Sequence, residues 1–92
     1  MHDSTMMRDL VAVAERAAME SDLGSVAAVR VRVGALSGIS PLHLVEHYDE
    51  AVRGTLLQGS RLVVEPGPDG VAALDDPAAQ GVLLVGLDGG RA

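Results

Sequence analysis

The chain has 92 residues, 48% of them apolar and 22% charged, with a formal net charge of −6 and no cysteine. That length suits one domain, since a chain of this size buries only about 60 to 65% of the surface its unfolded form exposes. The acidic balance repels phosphate backbones and anionic lipid, so nucleic acid and membrane surfaces are excluded as partners, and the missing thiols exclude disulfides, thiolate zinc sites and cysteine nucleophiles.

From Asp3 to Asp22, apolar residues recur at Met6, Leu10, Val13 or Ala14, and Ala17, with Met7, Val11 and Ala18 widening the stripe. This period predicts an amphipathic helix, capped by Asp3 or Ser4 and closed by a left-handed Gly24. From Ser25 to Val33 the period changes to two: Val29, Val31 and Val33 alternate with Arg30 and Arg32, a strand with one apolar and one solvated face. The two arginines suit an acidic partner and equally suit a charged face that discourages sheet-to-sheet aggregation.

Gly34 to Gly38 reads as a loop, and Ser40-Pro41 as an N-cap followed by proline at the first helical position. The second helix is expected from Pro41 to about Arg53, with Leu44 or Val45, Tyr48 and Val52 on its core face and Gly54 ending it. Arg61 to Glu65 reads as a short strand with Leu62 and Val64 on one face. Pro66 to Gly70 and Asp75-Asp76-Pro77 are turn signals, and Val71 to Leu74 between them is a brief strand or a linker. The apolar run within Gly81 to Leu87 predicts a third main strand. The order helix, strand, helix, strand, strand implies an α/β (α+β) fold in which two helices pack on one face of a small three-stranded sheet.

Three places carry candidate chemistry. Met1, His2 and Asp3 bring an α-amine, backbone amides and an imidazole within a few ångströms, a nitrogen set that suits nickel or copper. His43 and His47 are a weaker candidate pair: at i, i+4 their rings project to the same side of a helix and can share zinc or nickel, although a plain solvated helix face explains them as well. Asp75-Asp76 lacks the further spaced oxygens of a calcium loop. Ser37 and Ser40 have no nucleophile-elbow context, and the glycines around them match no phosphate or dinucleotide loop. No apolar run reaches the roughly 18 residues of a membrane span, and the start Met-His-Asp-Ser-Thr has no secretory pattern, so a cytoplasmic location is expected.

Several of these segments together resemble the nickel-binding domain of the HypA/HybF family, accessory proteins of nickel-iron hydrogenase and urease maturation. The likeness rests on Met1-His2-Asp3, on Val29 to Gly38 followed by Pro41, and on Gly54-Thr55-Leu56 with Gly59 and Leu62 to Glu65. It covers residues 1 to about 65. The resemblance implies a single nickel-binding domain over residues 1–92, a Ni(II) site at Met1, His2 and Asp3, and no catalysis. It implies as partners a nickel-handling GTPase and the hydrogenase large-subunit precursor, while an exposed strand edge would allow a homodimer. Two departures stand out. Asp3 replaces the family's usual Glu, keeping the charge with a shorter reach. The zinc domain that members carry between the second and third strands is replaced by a short linker over residues 66–80, so no zinc is expected. Two functions follow: a nickel carrier for hydrogenase maturation, or a degenerate module that docks a maturation partner without carrying metal.

Overall fold

A computed structural model describes residues 2–34, 37–66 and 81–90, with residues 2–5 and 66 described by their backbone alone. The expectations for Met1, for Val71 to Leu74 and for Asp75-Asp76 lie outside the described residues. Five elements follow one another: helix α1 (His2–Glu20), strand β1 (Val26–Val33), helix α2 (Pro41–Ala51), strand β2 (Arg61–Pro66) and strand β3 (Val82–Gly89).

The sheet has the order β2-β1-β3, with β1 at its centre. Strand β2 runs parallel to β1, Val29 opposite Leu62 and Val31 opposite Val64. A parallel neighbour requires a crossover connection, and α2 supplies it. Strand β3 runs antiparallel along the other edge, and its register slips twice. Ala27 is an extra residue on β1 between the Val26–Gly89 and Ala28–Asp88 pairs, and Val85 is an extra residue on β3 between the Arg30–Gly86 and Val31–Leu84 pairs. Each bulge switches the side-chain alternation. Val26 therefore reaches the same core as Val29, Val31 and Val33, and Leu87 joins Val82 and Leu84 against it.

Both helices contribute to this one core. Met7, Leu10, Val11, Ala14 and Ala18 come from α1, and Leu44 and Tyr48, followed by Val52, from α2 and its C-terminal end. The apolar stripe of α1 is thus centred on Met7, Leu10/Val11, Ala14 and Ala18, while Val13 is 54% exposed. Val45, likewise, is 44% exposed, so Leu44 is the residue that packs. With Phe and Trp absent, Tyr48, Leu57, Val29, Val31 and Val52 are the largest side chains buried almost completely. Burying a Val or Leu side chain contributes roughly 1.5 to 3 kcal/mol.

The helix ends differ from the expected ones. Because α1 begins at His2, Asp3 and Ser4 lie inside its first turn and neither is the N-cap residue. At its C-terminus the left-handed residue is Asp22 (φ 59°), and Gly24 has no positive φ. The Leu23 N–H donates to the Ala18 carbonyl at 2.9 Å and the Asp22 N–H to the Met19 carbonyl at 3.1 Å, a Schellman closure two residues earlier than the glycine. Leu23 then packs onto the core, which fixes the cap by burial despite the cost of a Cβ in that conformation. Helix α2 stops at Ala51 with Val52 as its C-cap, and Gly54 (φ 78°) serves the succession of turns that follows. Those turns are anchored to α1 where the Leu56 N–H donates to the Glu15 carboxylate at 3.0 Å.

Arg30 and Arg32 occupy the sheet face away from the apolar valines, as the alternation predicts, and both are half-buried. The Arg30 guanidinium lies over Gly86, where an added Cβ would come within 3.1 Å of its Cζ. It forms ion pairs to Asp88 at 3.3 Å and Glu65 at 3.8 Å, so it bridges from the central strand to both edges. Its Nε makes no hydrogen bond, so the Asp88 contact is a Coulombic pair without directed donation.

Candidate functional site

Helices α1 and α2 do not close on each other along their whole length. Between them lies a groove of about 860 Å³, lined on one side by α1 residues from Met6 to Glu15 and on the other by Gly38 to Ser40, His43, Leu44, His47 and Glu50. Glu15, in the second half of α1, reaches Leu56 beyond the C-terminus of α2. Met6 and Met7, near the start of α1, line the same groove as Ile39 and Ser40, at the start of α2. The two helices therefore run in the same direction, and their first turns share one end of the molecule.

That end is built by short-range hydrogen bonds. The Ser37 hydroxyl donates to the Gly34 carbonyl at 2.7 Å and accepts from the Ile39 N–H at 3.1 Å, which turns the chain out of β1. Ser40, in extended conformation (φ −81°, ψ 121°), accepts the His43 N–H on its side chain at 3.3 Å, and Pro41 occupies the first helical position. A hydroxyl at the N-cap satisfies one of the four amides that a helix start leaves without an intrahelical acceptor. Both serines are thus structural, and the capped start fixes the azimuth at which the α2 side chains emerge.

His43 and His47 are exposed and emerge together: their ring centroids are 4.4 Å apart with the planes tilted by 47°. Among the described residues no group of three or more His, Asp or Glu is disposed to hold a metal ion. Within the described residues the pair brings two imidazoles together. Of the terminal candidates, His2 and Asp3 form the first turn of α1, and Met1 precedes the described residues. The amides of such a turn have no acceptor within the helix, so they are not committed to its hydrogen-bond ladder.

Below the groove floor, Tyr48 anchors α2 to the turn before β2. Its hydroxyl lies 2.7 Å from Ser60 Oγ, and Ser60 Oγ donates in turn to the Leu57 carbonyl at 2.6 Å. Since a serine hydroxyl has one proton, Tyr48 must be the donor of the first bond. Burial holds the Tyr48 hydroxyl protonated beyond its ordinary value of 10.0; the Ser60 hydroxyl opposes this and the nearby Asp49 charge reinforces it. Sequence periodicity placed Tyr48 in the core, but nothing in it points to Ser60. The groove also has no signature in the one-dimensional pattern, because its lining mixes core residues such as Met7, Val11 and Leu44 with others from two separate helices and the loop before α2.

No helix of the described residues is long and apolar enough to cross a membrane. Comparison with known proteins supplies the family. The family model described as hydrogenase/urease nickel incorporation, metallochaperone, hypA matches residues 1–72. A hydrogenase maturation factor HypA from Roseiflexus sp. is 37% identical over 84 residues, covering 83% of this chain and 68% of that protein. Another from Nitrosospira multiformis is 38% identical over 69 residues, covering 74% of this chain and 59% of that protein. The chain thus spans about three-fifths to two-thirds of the length of these relatives. A solution structure of HypA protein aligns over 96% of this chain and 95% of its own, with a TM-score of 0.67 at 15% identity, a likeness of fold alone. With two helices on a three-stranded mixed sheet and a family match that spans most of its length, the chain belongs to the HypA family of nickel-incorporation metallochaperones.

Proposed function

We propose that this chain binds Ni(II) at the head of α1 and delivers it during maturation of nickel-iron hydrogenase. The ligands are the Met1 amine, the His2 imidazole and backbone nitrogen of the first turn, with the Asp3 carboxylate beside them. The observation that carries this reading is that Met1-His2-Asp3 lies inside the segment matched by the nickel-incorporation family, and that His2 opens a helix whose first amides are uncommitted. Amine, amide and imidazole nitrogen suit a borderline divalent ion, and the metal is cargo here, taken up and passed on. Because each of these ligands binds in its deprotonated form, affinity rises with pH.

The same reading assigns the finer roles. The chain works as a single domain, with the short segment 66–80 in place of a zinc module. It acts in the cytoplasm beside a nickel-handling GTPase and the hydrogenase large-subunit precursor, and it has no zinc of its own. Its test is calorimetric titration of Ni(II) into protein purified without an affinity tag, with Met1 carrying a free amino group. His2→Ala and a one-residue N-terminal extension are each expected to abolish the tight equivalent. Unchanged tight binding in both would refute the assignment and leave a docking role without metal as the reading to pursue.

A further inference from the structure

The groove between α1 and α2, about 860 Å³ in volume, has no part in the terminal nickel site. Its floor is apolar: Met7, Val11 and Leu44 belong to the core, and the half-buried Met6 and Ile39 stand above them. Its two ends carry opposite charge. Arg8 lines the end where both helices begin, while Glu15 and Glu50 line the other, beside Ala51 and Thr55. Arg8 and Glu50 are exposed, and among the described residues neither takes part in an ion pair. The Glu15 carboxylate is held at its end by accepting the Leu56 N–H at 3.0 Å.

From this geometry we infer that the groove receives an amphipathic helix of a partner protein. That helix is apolar on one side, with an acidic residue at the end that meets Arg8 and a basic residue at the end that meets Glu15 and Glu50. The walls decide for a helix. Both are themselves helices, whose backbone groups are bonded internally, so an extended segment laid between them would lose water from its own amides and carbonyls with nothing to replace it. A helix satisfies its backbone within itself and offers side chains alone, the mode of recognition that an apolar groove supports. The length agrees, since from Met6 to Glu15 α1 rises roughly 14 Å, room for apolar anchors at i, i+3 or i+4, and i+7. The unbranched side chains of Met6 and Met7 adapt to the shape of those anchors. The opposite charges at the two ends then select the partner and set its orientation. A second copy of this chain, itself at a net charge of −6, is repelled as a whole, which favours a different protein.

The experiment is fluorescence anisotropy of a labelled synthetic helix titrated with the whole chain in the presence of a metal chelator. The probe has about four turns, with leucine at i, i+4 and i+7, glutamate at one end and lysine at the other; a second probe has glutamate at both ends. The first probe is expected to bind the unaltered chain more tightly than the second. Glu50→Lys should weaken the first probe about three- to tenfold, in keeping with exposed charge pairs, and should strengthen the second. Ala12→Arg sets a long side chain on the exposed groove wall and should abolish binding. Val13→Arg, the same change at an exposed position of α1 outside the groove lining, should leave binding as it was. Because these positions are exposed the core is retained, as circular dichroism verifies. Failure of the first probe to bind, equal binding by Ala12→Arg, or indifference of both probes to Glu50→Lys would each overturn the inference. Self-association in sedimentation equilibrium that Ala12→Arg abolishes would assign the groove to a second copy and overturn it as well. With metal removed throughout, a failure here leaves the terminal site untouched, and a failed nickel titration leaves this result readable.

Discussion

The buried relay from Tyr48 through Ser60 to Leu57 makes a sharp prediction about which small substitution harms the fold most. Tyr48 is 1% exposed, Ser60 4% and Leu57 0%, so water cannot replace a lost partner. Tyr48→Phe removes a donor and leaves Ser60 still bonded to the Leu57 carbonyl, so its cost should be that of one net hydrogen bond, about 1 kcal/mol. Ser60→Ala is chemically the smaller change, yet it leaves the Tyr48 O–H buried with no acceptor, while the Leu57 carbonyl keeps the Ser60 N–H at 3.0 Å. Its cost is the lost bond plus the desolvation of that orphaned hydroxyl, about 2 to 3 kcal/mol. For a domain of this size that lowers the melting temperature by roughly 8 to 24 °C. The double variant removes both polar partners and should be more stable than Ser60→Ala alone. Urea denaturation followed by far-ultraviolet circular dichroism gives the three values directly. A double variant as unstable as Ser60→Ala, or a Tyr48→Phe more damaging than Ser60→Ala, would refute the direction of donation.

Three further outcomes are expected. Tyr48 is held protonated beyond its ordinary value in the folded state, so its contribution is complete below pH 10 and is lost as the pH rises past the unfolded value toward the folded one. With no lysine, no cysteine and a single tyrosine in the chain, the loss of stability in that alkaline window should vanish in Tyr48→Phe, as denaturation at stepped pH would reveal. Asp22→Gly should stabilise the protein by about 0.5 to 1 kcal/mol, since φ 59° costs any residue with a Cβ; a lowered urea midpoint would contradict this. Gly54→Ala should destabilise by about 1 kcal/mol for the converse reason at φ 78°, read in the same denaturation assay.

The order of elements was legible in the sequence because α1 has a period of three and four along Met6, Leu10 and Ala14, widened by Met7, Val11 and Ala18, β1 a period of two along Val29, Val31 and Val33, and β3 an apolar run bounded by glycines. What escaped it are features set by partners distant in the chain. The bulges at Ala27 and Val85 arise from fitting β3 against β1, and no local pattern encodes a register slip. The Asp22 cap wins over Gly24 because Leu23 must reach the core, a demand of packing that outweighs backbone preference. The Tyr48–Ser60 bond spans twelve residues between a helix and a turn, so each residue read alone is unremarkable. Of the candidate sites, the i, i+4 spacing announced that His43 and His47 would meet, and their rings do so. The spacing could not announce that they would line a groove facing α1, since that depends on how two separate helices are set upon one sheet.

Nickel K-edge absorption spectroscopy on the untagged chain loaded with one equivalent of Ni(II) tests the central claim most directly. Binding at the head of α1 requires nitrogen and oxygen donors only, with the scattering pattern of a single imidazole, and the signal should disappear from His2→Ala at the same loading. A spectrum with two imidazoles on the first ion, or one unaltered by His2→Ala, would contradict the account.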